Sequence, residues 1–163
     1  MKLPLWLGPL LVLCLIRTAA ATADVTGDAR VIDGDTIEVG GERVRLHGID
    51  APESRQRCGA GEVTWKCGEI ATDVLVAAAD GQVVRCEGSK RDRYGRLIAV
   101  CYAGEVNLNA LMVRDGWALA FRRYAMDYVA EETAARAEQK GMWRGSFVAP
   151  WDWRRGERLA RAH

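Results

Sequence analysis

Three aspartates, an arginine and a glutamate are crowded into two successive strand-like segments, Val31-Ile-Asp-Gly-Asp-Thr36 and Arg45-Leu-His-Gly-Ile-Asp-Ala-Pro-Glu53. Such a set can hold a hard cation beside a phosphodiester. Asp35 and Asp50 supply both the oxygen ligands and the negative charge that calcium asks for. Arg45 offers a planar, permanently charged fork that pairs with phosphate through two hydrogen bonds. Glu53 is left to handle a proton. A third segment, Arg91-Asp-Arg-Tyr-Gly-Arg96, reads as a turn that delivers Arg96 to the start of a strand as a second phosphate clamp.

The elements that position these groups follow from local pattern. Residues 30–39 alternate around β-favouring types, Gly40-Gly41 is a two-residue turn signal, and 42–49 return as a second strand. Pro52 cannot continue a ladder, so the chain leaves the sheet there and Glu53 sits on the exit loop. Val63, Ile70, Val74, Leu75 and Ala78 fall at helical spacing within 61–79, ahead of the stop at Asp80-Gly81. Residues 82–86 and 96–102 form another hairpin around the arginine loop. Asn107 caps a short helix whose face is Leu108, Leu111 and Met112 and whose stop is Gly116. A last helix spans 127–140 and ends at Gly141, with Glu131, Glu132, Arg136 and Glu138 as a solvated polar face. Strands gathered early and in the middle, with helices inserted and appended, make this an α+β chain: a small β-barrel with packed helices.

Each candidate has a plainer reading. Two aspartates flanking Gly34 inside a strand are explained by a β-bulge with solvated carboxylates, until Asp50 and Glu53 are placed beside them. Arg96 taken alone is a surface arginine. His47 has a convenient pKa but reads as a strand side chain. Trp143, Trp151 and Trp153 pack the C-terminal segment onto the body rather than forming a base-stacking strip. The stretch 154–163 reads as a frayed polar end.

Lys2, the apolar run 3–16 and the small-residue site Ala21-Thr22-Ala23 read as an export signal, with Cys14 an ordinary part of that run. Broken by Pro4 and Pro9, the run falls short of the roughly 20 residues that span a bilayer. The expectation is a signal at 1–23, one domain at 24–163, a secreted or periplasmic location, and no membrane anchor after cleavage. The chain carries 23 basic and 22 acidic residues; removing Lys2 and Arg17 leaves 21 − 22 = −1. Global charge therefore does not draw nucleic acid to this chain, and any anion site must be local. Cys58, Cys67, Cys86 and Cys101 form an even set suited to an exported chain. Of three connectivities, Cys58–Cys67 and Cys86–Cys101 is preferred because each pair is close in this topology. A zinc site is the alternative, but no C-x-x-C spacing supports it.

The ordered set V-I-D-G-D-T, R-L-x-G-I-D-A-P-E and D-R-Y-G-R, continued by Val106-Asn-Leu-Asn-Ala-Leu-Met-Val-Arg-Asp-Gly-Trp-Ala118 and Lys140-Gly-Met-Trp143, resembles the staphylococcal nuclease (thermonuclease) family over about 29–153. The resemblance implies an OB-fold, five-stranded β-barrel with about three helices, and a calcium-dependent nuclease that cuts DNA and RNA to leave 3′-phosphate ends. It implies calcium held by Asp35 and Asp50, by Asp33 through water and by the Ala51 carbonyl. Ala51 stands where the best-known members have threonine, which leaves a carbonyl ligand intact. Thr36 is a second-tier neighbour of the metal. Arg45, Glu53 and Arg96 would be catalytic, and Arg93, Tyr94 and Tyr124 would bind substrate, with Arg122 replacing one expected tyrosine. The expected protein is a monomer without a stable protein partner. Its rivals are a catalytically silent nucleic-acid-binding OB-fold module and a calcium-stabilised structural domain.

Overall fold

The computed structural model describes residues 23–159. Residues 1–22, which hold Cys14 and nearly all of the expected export signal, lie outside them, as do residues 160–163. The first strands are β1 (Ala23–Asp33), β2 (Thr36–Val39), β3 (Glu42–Leu46), β4 (Ile49–Asp50), β5 (Cys58–Ala60) and β6 (Val63–Trp65), followed by helix α1 (Cys67–Ala79). Next come β7 (Val83–Arg91), β8 (Leu97–Ala103), β9 (Val106–Asn107), α2 (Leu108–Arg114), β10 (Leu119–Ala120), α3 (Val129–Ala137), a 3-10 turn at Gly141–Arg144 and α4 (Pro150–Arg154).

Five strands close on themselves. β1 pairs antiparallel with β2 and β7, β2 with β3, and β7 with β8; the barrel shuts where β3 runs parallel to β8, Arg45 beside Ile98. Closure leaves these strands no free edge, and alternate residues point inward. Ile37, Val39, Val44, Leu46, Val84, Leu97 and Ala99 fill the interior and meet Ala71 and Leu75 of α1 and Leu108 and Met112 of α2. This is the expected OB-fold barrel. Gly40 and Gly41, at φ of 57° and 82°, make the expected tight turn, a conformation costly for other residues. Asn107 caps α2 by accepting a hydrogen bond from the Ala110 amide at 3.0 Å. Cys58 is bonded to Cys67, and Cys86 to Cys101 across the β7–β8 ladder. Among the described residues no helix is long and apolar enough to cross a membrane.

Several local expectations are corrected. Gly34 and Asp35 form the turn between β1 and β2 rather than lying inside one strand, with Asp33 opposite Thr36. Asp33 closes that turn by accepting a hydrogen bond from the Asp35 amide at 3.1 Å, the Asx arrangement that favours aspartate in turns. Residues 23–29, for which no strand was expected, extend β1, and Ala23 to Asp28 pair with β7. Helix α1 begins at Cys67 instead of 61, since Gly61 turns the chain at φ 59° and residues 58–65 pair as a hairpin. Helix α3 covers less than 127–140, because Gln139 and Gly141 adopt left-handed φ. Glu132 is buried, not solvated. His47 lies in the turn after β3 rather than on the strand. Among the described residues a short fourth helix, α4, accompanies the three that were expected, and it ends at Arg154, within what read as a frayed tail.

Candidate active site

The acidic and basic residues singled out by sequence converge because three barrel features meet. The β1–β2 turn carries Asp35, β3 places Arg45 directly across from Thr36, and the short β4 brings Asp50 in before the chain exits at Pro52 and Glu53. A cleft of about 830 Å³ opens over them, lined by Asp33, Asp35, Arg45, Glu53, Arg96 and Arg154 among others. Asp50 is fully buried, and Asp35 and Thr36 nearly so.

Charges alternate along and just beneath the floor of this cleft, where Asp50 lies. Arg45 pairs with Asp35 through Nη1 and donates from Nη2 to Asp50 Oδ1 at 2.7 Å. Arg154 then spans the next two carboxylates, donating to Asp50 Oδ2 at 2.6 Å, to Asp50 Oδ1 at 3.1 Å and to Glu53 Oε1 at 2.7 Å. The sequence Asp35, Arg45, Asp50, Arg154, Glu53 is thus one chain of ion pairs. Burial lowers the Arg45 pKa below the usual arginine value, with Asp50 pulling against it, yet arginine stays charged at any physiological pH. For Arg154 burial works the same way, but the hydrogen bonds it donates to Asp50 and Glu53 outweigh it and hold the guanidinium above its ordinary value. Asp35 is fixed further by the Ala51 amide, which donates to Oδ2 at 2.8 Å, and by the Thr36 hydroxyl at 3.2 Å. Asp33 sits half-buried on the cleft wall.

Arg96 is braced by its own loop. Arg96 donates from Nε to Asp92 at 2.7 Å and from Nη1 to the Thr36 hydroxyl at 3.2 Å, which ties the β7–β8 loop to the acidic turn. Burial alone would raise the Asp92 pKa, but the Arg96 side chain and two backbone amides bring it below the usual carboxylate range. Arg93 lies over the Tyr94 ring at 4.7 Å, and Tyr94 itself is 68% exposed. Tyr124, 69% exposed, stands edge-on to Phe121 at the cleft. His47 reaches Asp127 at 3.5 Å on the rim and touches none of the carboxylate chain.

Sequence reasoning missed the supports. Gln56, fully buried, accepts a hydrogen bond from the Glu53 amide at 3.2 Å and donates to the Val148 carbonyl at 2.5 Å, pinning the exit loop to the C-terminal segment. Gly68 lets α1 approach the same loop, since a Cβ there would lie 1.9 Å from the Glu53 carbonyl oxygen. Gly34 is there for closeness too, a Cβ meeting the Ala51 Cβ at 2.7 Å. Glu132 accepts the Ala120 amide at 2.9 Å and pairs with Arg122 at 2.6 Å, holding β10, whose Leu119 pairs with Asp50. Asn109 donates to the His47 carbonyl at 2.9 Å and steadies the turn that leads into β4. Trp143 and Trp151 pack as expected, and Trp151 stacks on Phe121 at 5.4 Å and anchors the segment carrying Arg154.

The donor atoms around Asp35 and Asp50 are oxygens, two buried carboxylates and a hydroxyl, which suits a hard cation. Among the described residues no three Asp, Glu, His or Cys side chains converge as a ligand set, and guanidinium groups pair with the carboxylates that do lie close. The residues fit such a cation once one of those positive charges gives way.

The profile of staphylococcal nuclease homologues matches residues 43–145. A protein of Escherichia coli O157:H7 named as an uncharacterized endonuclease is 37% identical over 153 residues, covering 88% of this chain and 94% of its own. A micrococcal nuclease of Shigella flexneri is 36% identical over 165 residues, covering 90% of each chain. A Rhizobium meliloti protein named succinoglycan biosynthesis protein ExoI is 34% identical over 139 residues, with 81% of this chain and 71% of the relative covered.

Proposed function

This chain belongs to the staphylococcal nuclease family, with relatives named as an endonuclease and a micrococcal nuclease, and on that premise we propose that it is an exported, monomeric, calcium-dependent nuclease cutting DNA and RNA. The observation that carries the reading is the pair Asp35 and Asp50 bridged by Arg45, with Asp35 and Arg45 lining an open cleft, Asp50 buried beneath it, and Glu53 and Arg96 on its walls.

Asp35 and Asp50 would hold the cation, with the Ala51 carbonyl, Thr36 and, through water, Asp33 beside them. A calcium ion there supplies Lewis acidity toward a phosphoryl oxygen. The Glu53 carboxylate takes or orients the proton of a water lying in line with the leaving 5′ oxygen. Arg45 and Arg96 stabilise charge growing on the phosphoryl oxygens; both are already braced by carboxylates or hydroxyls, so little reorganisation is needed. Displacing the 5′ oxygen leaves a 3′-phosphate. Tyr94 and Tyr124 offer exposed aromatic faces that stack on bases of any identity, and Arg93 extends the positive wall.

Hydrolysis of single-stranded DNA and RNA in calcium and in chelator tests this directly. Calcium-dependent cleavage to 3′-phosphate ends is the expected result. Retained binding without cleavage under any condition would favour a silent barrel, and metal-raised melting without either would favour a structural domain.

A further inference from the structure

Arg154 lies beyond the span 43–145 that the family profile covers, and 104 residues along the chain from Asp50. It nonetheless bonds two carboxylates of the site at once. Its fork is spent wholly on carboxylates: Nη2 on Asp50 Oδ2, and Nη1 shared by Asp50 Oδ1 and Glu53 Oε1. With Arg45 also on Oδ1, each Asp50 oxygen already receives a guanidinium proton. A divalent cation drawing on Asp50 would therefore face a positive charge held against the same oxygens, and the two repel.

The segment carrying Arg154 is anchored independently of this contact. Trp151 stacks on Phe121, Pro150 is buried, and the Val148 carbonyl is held by Gln56. The Arg154 side chain is 42% exposed at the cleft edge, so it can swing into solvent about its own torsions while α4 stays in place.

We propose that Arg154 is a built-in counter-cation, holding Asp50 and Glu53 together in the metal-free protein and displaced when a divalent cation binds, so that α4 sets the metal affinity of the site. The inference rests on the reading that this site takes such a cation. Competition of this kind is reciprocal: whatever the cation costs the Arg154 pairing, Arg154 costs the cation.

Calorimetric titration of the full chain with calcium chloride, alongside thermal melts in chelator, tests it with Arg154→Gln, Arg154→Lys and Arg155→Gln. Arg155 is one residue on, exposed and paired with Asp152, so its loss reports bulk charge alone. Arg154→Gln should tighten calcium binding by about tenfold, within the usual range of coupling between linked events, and lower the melting temperature in chelator. Arg154→Lys, whose ammonium holds one carboxylate at a time, should tighten it by less, and serves if the glutamine variant does not fold. Arg155→Gln should leave affinity nearly unchanged. Equal or weaker binding by Arg154→Gln, or an equal gain in Arg155→Gln, overturns the proposal. Absence of calcium binding in wild type and all variants would instead overturn the metal reading beneath it.

Discussion

Replacing Gly68 by alanine is a demanding perturbation, because it tests how the loop carrying Glu53 is held without touching any charged group of the cleft. The new Cβ would stand 1.9 Å from the Glu53 carbonyl oxygen and 2.7 Å from its carbonyl carbon, both backbone atoms. Reaching ordinary contact requires α1 and the loop to part by roughly 1 Å or more. The loop has little slack, since the Glu53 amide is bonded to Gln56 and Gln56 to the C-terminal segment. Such overpacking should cost about 1–3 kcal/mol of stability. A misplacement near 1 Å should reduce hydrolysis per folded molecule by about 10²-fold. Gly81→Ala is the matched control: its φ of 65° strains alanine, but its Cβ meets nothing within 4 Å. That variant should lose about 1–2 kcal/mol and keep its turnover. Melting curves give the stabilities, and initial rates on a labelled oligonucleotide give the activities. Wild-type turnover in Gly68→Ala would refute the idea that this close approach positions Glu53.

Other expectations follow from the supports. Glu132→Ala should lower stability by about 1–3 kcal/mol, mainly by orphaning the buried Ala120 amide, since its half-exposed partner Arg122 adds little; urea unfolding measures it. Burial pushes the Tyr128 phenol up to about 12, above its ordinary value of 10.0, so its contribution to stability is complete below 10 and is lost as pH rises toward 12. Tyr128→Phe should accordingly show a shallower fall in melting temperature across that alkaline window. Replacing Cys58 and Cys67 by alanine should cost about 2–3 kcal/mol, with a comparable loss for Cys86 and Cys101; only the first pair braces the loop near Glu53, so only it should also slow hydrolysis.

What the sequence made legible was whatever is encoded over short distances. Gly40-Gly41 announced its turn, Asn107 its cap, and the cysteine pairs their local closeness. The acidic and basic motifs were readable because Asp35, Arg45 and Asp50 lie on adjacent strands, where a few residues of spacing fix which side chains meet. Contacts over long separations left no such trace. Arg154 reaches Glu53 across 101 residues and Gln56 reaches Val148 across 92, and nothing in either local pattern marks them. Glu132 looked like one more charge on a polar helix face because its burial depends on β10, an element of two residues. The β1–β2 turn was misplaced for a different reason: the Asp-Gly-Asp step satisfies both a bulge and a turn, and only the Asx bond to Asp33 separates them.

Hydrolysis of phosphodiesters in this cleft, with Glu53 handling the proton, stands or falls on one comparison. Turnover of a single-stranded oligonucleotide in calcium is measured for wild type and Glu53→Gln, with binding of the same oligonucleotide measured in chelator. Wild type should cleave, and Glu53→Gln should bind normally but turn over about 10²–10⁴-fold more slowly. Unchanged turnover in the variant would contradict that role for Glu53.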